Sequence, residues 1–396
     1  MTIAAAIERR TAEAPAWSKA RRIASIDVIT DLDGAEPVWR ALEAGTAVIT
    51  PYQRFDFLSH WQRQVGERQD VLPFIVVGYD AERRPLMLLP LAIRRHLGVR
   101  VASFMGDKHA TFNMALLDKA FATEANAADL DALFEALSKR ADVDVLALTQ
   151  QPWRWRDVAN PFTLLSHQPS VNTCPVLTIA PGAPPSALIS NSFRRRLISK
   201  ERKLEKLPGY RYRLANMEEE ITRLLDWFFR TKPLRMAEQK LPNVFGDLGV
   251  EEFVRKACSA RLSGGRRAID IHVLECDEEV IALFAGVADG ERFSMMFNTY
   301  TMSDHARHSP GLILIRNIVD HYAAQGFRKL DLGIGSDDYK RFFCKGDEPI
   351  LDAFVALSGR GRLAATAMAM LNRAKRRVKQ NQALLGFAQR LRGALR

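Results

Sequence analysis

"HSPGLILIRNIVDHYAAQGFRKLDLGIGSDDYKRF", residues 308–342, holds a turn, an amphipathic run, a short strand pattern and a charged aromatic segment. Ser309 suits a helix N-cap, Pro310 the first helical position, and Gly311 a backbone that something else approaches closely. Such a start leaves N–H groups without intrahelical partners at the positive end of the helix dipole, which favours an anion such as a phosphate or pyrophosphate. The stretch predicts a helix from this start, "RKLDLGIG" a parallel-type strand, and "DDYKRFF" a short helix.

Upstream, "AIDIHVLEC", "VIALFAGVAD" and "RFSMMFNTYTM" read as three strands joined at Asp277–Glu279 and Asp289-Gly290, an antiparallel meander. Before them come three helices: "SFRRRLISKERKLEKL", with Phe193, Leu197, Leu204 and Leu207 on one stripe; "EEEITRLLDWFFRTKPLRM", expected to stop near Pro233; and "LGVEEFVRKACSARLSGG", expected to end at Gly264-Gly265. "PILDAFVAL" follows the opening stretch as a last strand. In the N-terminal half, "TAVITPY" (46–52) reads as a strand and "FDFLSHWQRQV" as a helix. A hairpin turns at Asp80–Arg83, "VRVASFMG" is a strand, "AADLDALFEALSKRA" a helix and "DVDVLALTQQ" a buried strand. Mixed strands and helices with much antiparallel pairing give an α/β (α+β) class. The Pro-rich passage at 173–189 marks the division. We expect a disordered 1–25, a first domain at 26–175, a second at 176–358, and a basic helical tail at 359–396.

Hydrophobic residues at 47% and charged residues at 26% fit a water-soluble globular protein. The four cysteines, Cys174, Cys258, Cys276 and Cys344, are far apart with no C-x-x-C pair, which suggests neither a zinc site nor a disulfide framework. The apolar stretch before Glu8 is too short for a secretory signal, so a cytoplasmic location is expected. The net charge of +11 is concentrated: residues 190–213 carry +7 and 360–396 carry +10, leaving −6 elsewhere. General nucleic-acid binding by the body is therefore not indicated.

Meander, anion-ready helix, parallel strand and short helix, in that order, resemble the Gcn5-related N-acetyltransferase (GNAT) arrangement. More closely, residues 185–357 resemble the acetyltransferase domain of the CelD/BcsL-type family associated with cellulose and exopolysaccharide biosynthesis. That resemblance is carried by "SFRRRLISKERKLEKL", "IALFAGVADGERFSMMFNTYTMSDHARHSPGLILI" and "LDLGIGSDDYKRFF". "GTAVITPYQRFDFLSHW", "LMLLPLAIRR" and "FMGDKHATFN" extend it into the N-terminal half. The resemblance implies tandem GNAT-like domains, the first degenerate, each with a mixed, largely antiparallel sheet flanked by helices. It also implies acetyl-CoA or another acyl-CoA as co-substrate, and no metal. Ser309, Pro310, Gly311, Leu312 and Ile313, with Asn298, are then the donor-binding positions. His308 and Ile313 depart from the superfamily's Gln/Arg-x-x-Gly-x-Gly/Ala loop. Tyr339 falls where the superfamily often places its acid. Asp331 is a candidate base or, between Leu330 and Leu332, a structural carboxylate; Asp304, His305 and His308 are its rivals. His305-x-x-His308 lacks a third ligand for a metal.

Arg194, Arg195, Lys340 and Asn113 are candidate substrate contacts, with a surface lysine as the plain reading of Lys340 and a solvated face as that of the arginines. Expected partners are an amino sugar or polysaccharide precursor and, through 360–396, the inner membrane or a polysaccharide synthase. Leu384, Phe387, Leu391 and Leu395 recur as in an interfacial helix, or one packed on the body. Two other readings stand: a Fem-type transferase using charged tRNA, and a non-catalytic GNAT-like scaffold.

Overall fold

The computed structural model describes residues 21–140, 142–262, 264–335 and 337–381. The expected N-terminal segment therefore lies largely, and the periodic residues Leu384–Leu395 entirely, outside the described residues.

The strands in chain order are β1 (Ser25–Ile29), β2 (Leu72–Tyr79), β3 (Pro85–His96), β4 (Val99–Phe104), β5 (Leu116–Leu117) and β6 (Val145–Pro152). They continue with β7 (Arg154–Trp155), β8 (Val158–Ala159), β9 (His167–Pro169), β10 (Cys174–Thr178), β11 (Arg211–Ala215) and β12 (Asp270–Glu275). The last are β13 (Val280–Ala288), β14 (Arg292–Tyr300), β15 (Lys329–Asp331), β16 (Gly346–Glu348) and β17 (Ile350–Ala356). The helices are α1 (Leu32–Ala44), α2 (Phe55–Trp61), α3 (Lys119–Glu124), α4 (Ala127–Ser138), α5 (Pro185–Leu188), α6 (Asn191–Leu204), α7 (Glu218–Glu238), α8 (Val250–Ser259), α9 (Pro310–Ala324) and α10 (Gly359–Gln380).

Two mixed sheets organise the chain, in the orders β1-β2-β3-β4-β6-β17-β9 and β11-β12-β13-β14-β15-β10-β16; β7 and β8 form a separate ribbon. The first hairpin turns as expected: Asp80 Oδ1 accepts from the N–H groups of Glu82 (3.0 Å) and Arg84 (2.8 Å), and Arg83 takes φ 61°. The β12-β13-β14 meander is antiparallel, while β15 joins β14 in parallel after the α9 crossover. Phe193, Leu197 and Leu204 form the buried stripe of α6.

Several local expectations change. In place of a strand at 46–52 there is a single Val48–Leu117 bridge and a 3-10 turn at Pro51–Gln53, because Pro51 brings no donor to continue a ladder. α7 runs through Pro233 to Glu238: a proline this near the end costs one backbone bond that packing on β13 and β14 compensates. α8 stops at Ser259, and Gly265 at φ 78° turns the Arg261–Arg267 bridge. The division near 175 is crossed: β17, expected to complete the second unit, lies in the first sheet between β6 and β9. α10 follows it onto β17 and β6, where Asn372 donates to Asp352 (3.0 Å) and Arg373 to Gln168 (2.7 Å).

Arg292, at the start of β14, joins the halves. Its Nε donates to Asp331 Oδ2 (2.8 Å) and its Nη1 to Glu348 Oε2 (2.7 Å). From the first half, Phe112 and Trp155 offer their ring faces to the guanidinium at 4.3 and 5.0 Å. All of these side chains are almost fully buried. The two carboxylates offset the cost of burying the cation and keep Arg292 protonated. Arg292→Met would leave both carboxylates buried without this partner. We expect a loss of about 3–5 kcal/mol in unfolding free energy by urea titration.

Candidate functional site

The site begins where two parallel strands part. β14 pairs with β15 only through Arg292–Ser294 and Lys329–Asp331, and opposite β13 its register shifts so that Met296 is an extra residue between Met295 and Phe297. Beyond Ser294 the carboxyl ends of the strands diverge, and a parallel sheet commonly opens a ligand crevice at such a place. The Gly-Ile-Gly stretch makes this geometry possible. Gly333 and Gly335 have φ of 75° and 119°, and a Cβ at Gly333 would lie 3.0 Å from the Met295 carbonyl oxygen. Lys340 Nζ, buried, holds the loop by donating to the carbonyls of Gly333 (3.2 Å) and Ile334 (3.0 Å).

Two cavities meet here. One, of about 290 Å³, is lined by Phe284, Asn298, Tyr300, Ser309, Gly311, Leu312 and Tyr339 among others. The second, of about 370 Å³, adds groups from both halves: Lys108, Gln150, Asn172, Met295, Met296, Asp337 and Lys340. Asn298 and Tyr339 belong to both. A larger groove between α7 and α8 is walled by ion-paired surface residues such as Glu251 and Arg255 and lies away from this crevice.

Ser309 does not cap α9 with its side chain. It sits in the left-handed region at φ 59°, and its carbonyl accepts from Leu312 N–H (3.0 Å) and Ile313 N–H (3.2 Å). Its hydroxyl accepts instead from Lys200 Nζ (2.7 Å), which brings an ammonium from α6 to the positive end of α9. Among the described residues the Gly311 N–H has no protein acceptor, and a Cβ on Gly311 would sit 3.4 Å from the Tyr300 ring. Burial lowers the His308 pKa, and the nearby charges of Arg307, Lys203, His305 and Lys200 add to the effect. An anion is favoured at this end of the cavity.

The fate of each expected residue follows from its contacts. Ser309, Gly311, Leu312, Asn298 and Tyr339 line the first cavity; Pro310 and Ile313 are buried and line neither cavity. Asp331 is fully buried, accepts from Arg292, from Ser294 Oγ (2.5 Å) and from Gly333 N–H (3.1 Å), which are the contacts of a structural carboxylate, and lines neither cavity. Asp304 is exposed, and neither it nor His308 lines either cavity. Lys340 braces the glycine loop from within and is no surface lysine. Arg194 is committed to Asp320 on α9 and Arg195 points to solvent. Asn113 is buried, donating to the Thr149 carbonyl (3.2 Å), while its loop neighbours Lys108 and Thr111 reach the second cavity.

Lys108, Gln150 and Asn172 were not singled out from the sequence. Gln150 carries a usable signal: a polar pair ends the buried "VLALT" run, and Gln150 holds φ 58°, an uncommon strain for a non-glycine. Burial is the main cause that raises the Tyr339 pKa, with the charges of Asp337 and Cys344 adding to it, while a hydrogen bond from Asn298 acts in the opposite sense. Tyr339 stays a phenol at physiological pH, suited to give a proton and not to take one.

Residues 191–341 match the family described as "Acetyltransferase (GNAT) domain" and thus make up a GNAT-type transferase domain. A comparison with curated proteins finds no match. Solved structures share the two-sheet fold at low identity. FemX is 8% identical with a TM-score of 0.54, covering 84% of this chain and 97% of that one. A conserved protein of unknown function from Bacteroides thetaiotaomicron is 11% identical with a TM-score of 0.51, covering 84% and 100%. The C-terminal domain of a lysylphosphatidylglycerol synthetase from Agrobacterium fabrum is 12% identical with a TM-score of 0.50, covering 86% and 96%. These likenesses show that the chain shares their fold.

The two candidate catalytic groups should separate in a stability measurement. Asp331→Asn is expected to lower unfolding free energy by about 3 kcal/mol or more, since it breaks a buried pair. Tyr339→Phe should stay within about 1 kcal/mol of the parent.

Proposed function

We propose that the chain is an acyl-CoA-dependent N-acyltransferase whose acceptor is an amino sugar of an exopolysaccharide or of its lipid-linked precursor. This follows the CelD/BcsL-type resemblance of its motifs. The observation that carries the reading is the pair of cavities joined at Asn298 and Tyr339, one starting at a cationic helix end and the other polar and built from both halves. Phosphates of the donor sit against Gly311 N–H and Lys200, and the pantetheine arm runs along Leu312 and Tyr300 toward the parting strands. The acceptor occupies the second cavity, where Gln150, Asn172, Asp337 and Lys108 offer donors and acceptors to sugar hydroxyls.

The neutral amine nitrogen attacks the thioester carbonyl, forming the C–N bond. The tetrahedral intermediate collapses by breaking the C–S bond. Tyr339 gives its proton to the departing thiolate and recovers one from the nitrogen through solvent. Holding both reactants at the meeting point of the cavities supplies most of the rate enhancement in this account. The reaction is placed in the cytoplasm, at the inner face of the membrane when the precursor is lipid-linked; among the described residues no helix is long and apolar enough to cross a bilayer.

A second reading, transfer from charged tRNA as in Fem-type enzymes, draws on the likeness to FemX and on the exposed cations Arg195 and Arg202 of α6. Calorimetry with acyl-CoA and a salt-titrated tRNA gel shift separate the two. Acyl-CoA binding without a tRNA shift is expected, and the reverse pattern overturns the first reading.

Lys200→Ala should weaken acyl-CoA about tenfold, the effect of losing one charge-assisted contact. Tyr339→Phe should lower kcat about 10²-fold or more. Because the Tyr339 pKa is raised, the rate should climb with pH as the acceptor amine deprotonates and show no fall from Tyr339 below about pH 10 in a kcat profile. Mass spectrometry of the surface polysaccharide, with and without a Tyr339→Phe copy, identifies the acceptor.

A further inference from the structure

The stretch from Lys232 to Leu248 carries the end of α7 and the turns before α8, and much of what it shows to water is apolar. Leu234, Leu241, Val244 and Leu248 are 58, 53, 41 and 62% exposed. A single exposed leucine is ordinary on a water-soluble protein, but four large aliphatic side chains within fifteen residues concentrate apolar surface in one place. The stretch also borders both cavities of the crevice. At one end the Arg235 guanidinium lies over the Tyr300 ring at 3.4 Å, and Tyr300 walls the donor-side cavity. At the other, Asp247 pairs with Lys108, which walls the acceptor-side cavity. Met302, two residues beyond Tyr300, is exposed as well.

The free charge of the stretch is positive. Among the described residues Lys232, Arg235 and Lys240 make no salt bridge, whereas of its two acids, Glu238 and Asp247, the second is neutralised by Lys108. Burial lowers the Lys232 pKa, and the Arg235 guanidinium one turn further on adds to the effect while Asp337 opposes it. An anionic group beside the pair would relieve that like-charge repulsion. The single aromatic residue of the stretch, Phe245, packs inward on Phe228 (5.1 Å) and Phe297 (6.1 Å).

We propose that residues 232–248 lay the crevice against a bilayer containing anionic lipid, with Leu234, Leu241 and Leu248 entering its apolar boundary and Lys232, Arg235 and Lys240 meeting phosphates. Resting on the reading of a lipid-linked acceptor above, the inference names the surface by which that acceptor is reached: its sugar enters the second cavity while its lipid stays in the membrane. Aliphatic side chains beside unpaired cations are what an interfacial segment needs, because lipid asks for apolar area and positive charge and for no shaped fit. A protein partner would ask for more. Stable protein interfaces are anchored by aromatic side chains and by arginines set in pockets, and here the one aromatic ring is turned to the core.

The test uses the full chain with one added cysteine, since all four native cysteines are buried. Leu241→Cys and Leu248→Cys each carry an environment-sensitive dye, and Met217→Cys, exposed at the other end of α7 and about 25 Å from Leu234, is the control. With vesicles of phosphatidylcholine and phosphatidylglycerol in equal parts, the dyes at 241 and 248 should move to the blue and the dye at 217 should not. Lys232→Gln combined with Arg235→Gln should weaken that response about tenfold or more, as should vesicles of phosphatidylcholine alone. A blue shift that appears without vesicles and grows with protein concentration means that a second copy covers the stretch, and overturns the inference. Vesicle binding that leaves the dyes at 241 and 248 unchanged is contact through 360–396 alone, and overturns it too. Calorimetry with acyl-CoA tests the donor separately, so silent dyes beside tight acyl-CoA binding sink the surface and leave the acyltransferase reading standing.

Discussion

The guanidinium of Arg292 makes the parting of the strands possible. A cation buried this deeply is stable only where carboxylates and aromatic faces surround it, and here they come from four separate parts of the chain: Asp331 after the α9 crossover, Glu348 near the end, and Phe112 and Trp155 from the first half. The interaction ties the first residue of β14 to the last residue of β15. Immediately beyond it, the bulge at Met296 and the glycine turn at Gly333 let the same strands diverge. One end is pinned and the other open. The crevice inherits its position from that contrast, and the first half inherits its place as the far wall.

The chemistry follows from the division of labour around the crevice. α9 brings a helix dipole, α6 brings Lys200 to its end, and the glycine loop with Lys340 beneath it presents Tyr339 and leaves Gly333 close to β14. The first half contributes side chains such as Gln150 and Lys108 through loops at the ends of its strands, where a scaffold can vary its binding groups without disturbing its core.

Elements written in local chemistry were legible in the sequence. The Asp80–Arg83 hairpin, the meander, the α6 stripe and the Ser-Pro-Gly helix start each follow from turn residues and periodicity, and each is present. The site residues were only half legible. Tyr339, Asn298 and Gly311 line one cavity. Asp331 reads from sequence as either base or brace, and it becomes a brace only because Arg292, thirty-nine residues earlier, pairs beside it. Pro233 reads as a stop, yet packing on β13 and β14 carries α7 past it. Pattern gives periodicity and turn chemistry but carries no partner, so the ion pair, the buried lysine and the cavity wall from the other half were invisible to it.

The placing of β17 between β6 and β9 has a consequence for the order in which the molecule can be built. β6 and β9 are complete by residue 169, but the strand that bridges them begins at residue 350. Until then β6 has a bare edge, a template for pairing with another chain. A ribosome adding about 5–20 residues per second leaves that edge open for roughly ten to forty seconds, while the whole second sheet is being made. The first half cannot close before the second is complete, so the two mature as one cooperative unit, at the cost of a long interval in which the nascent chain needs protection.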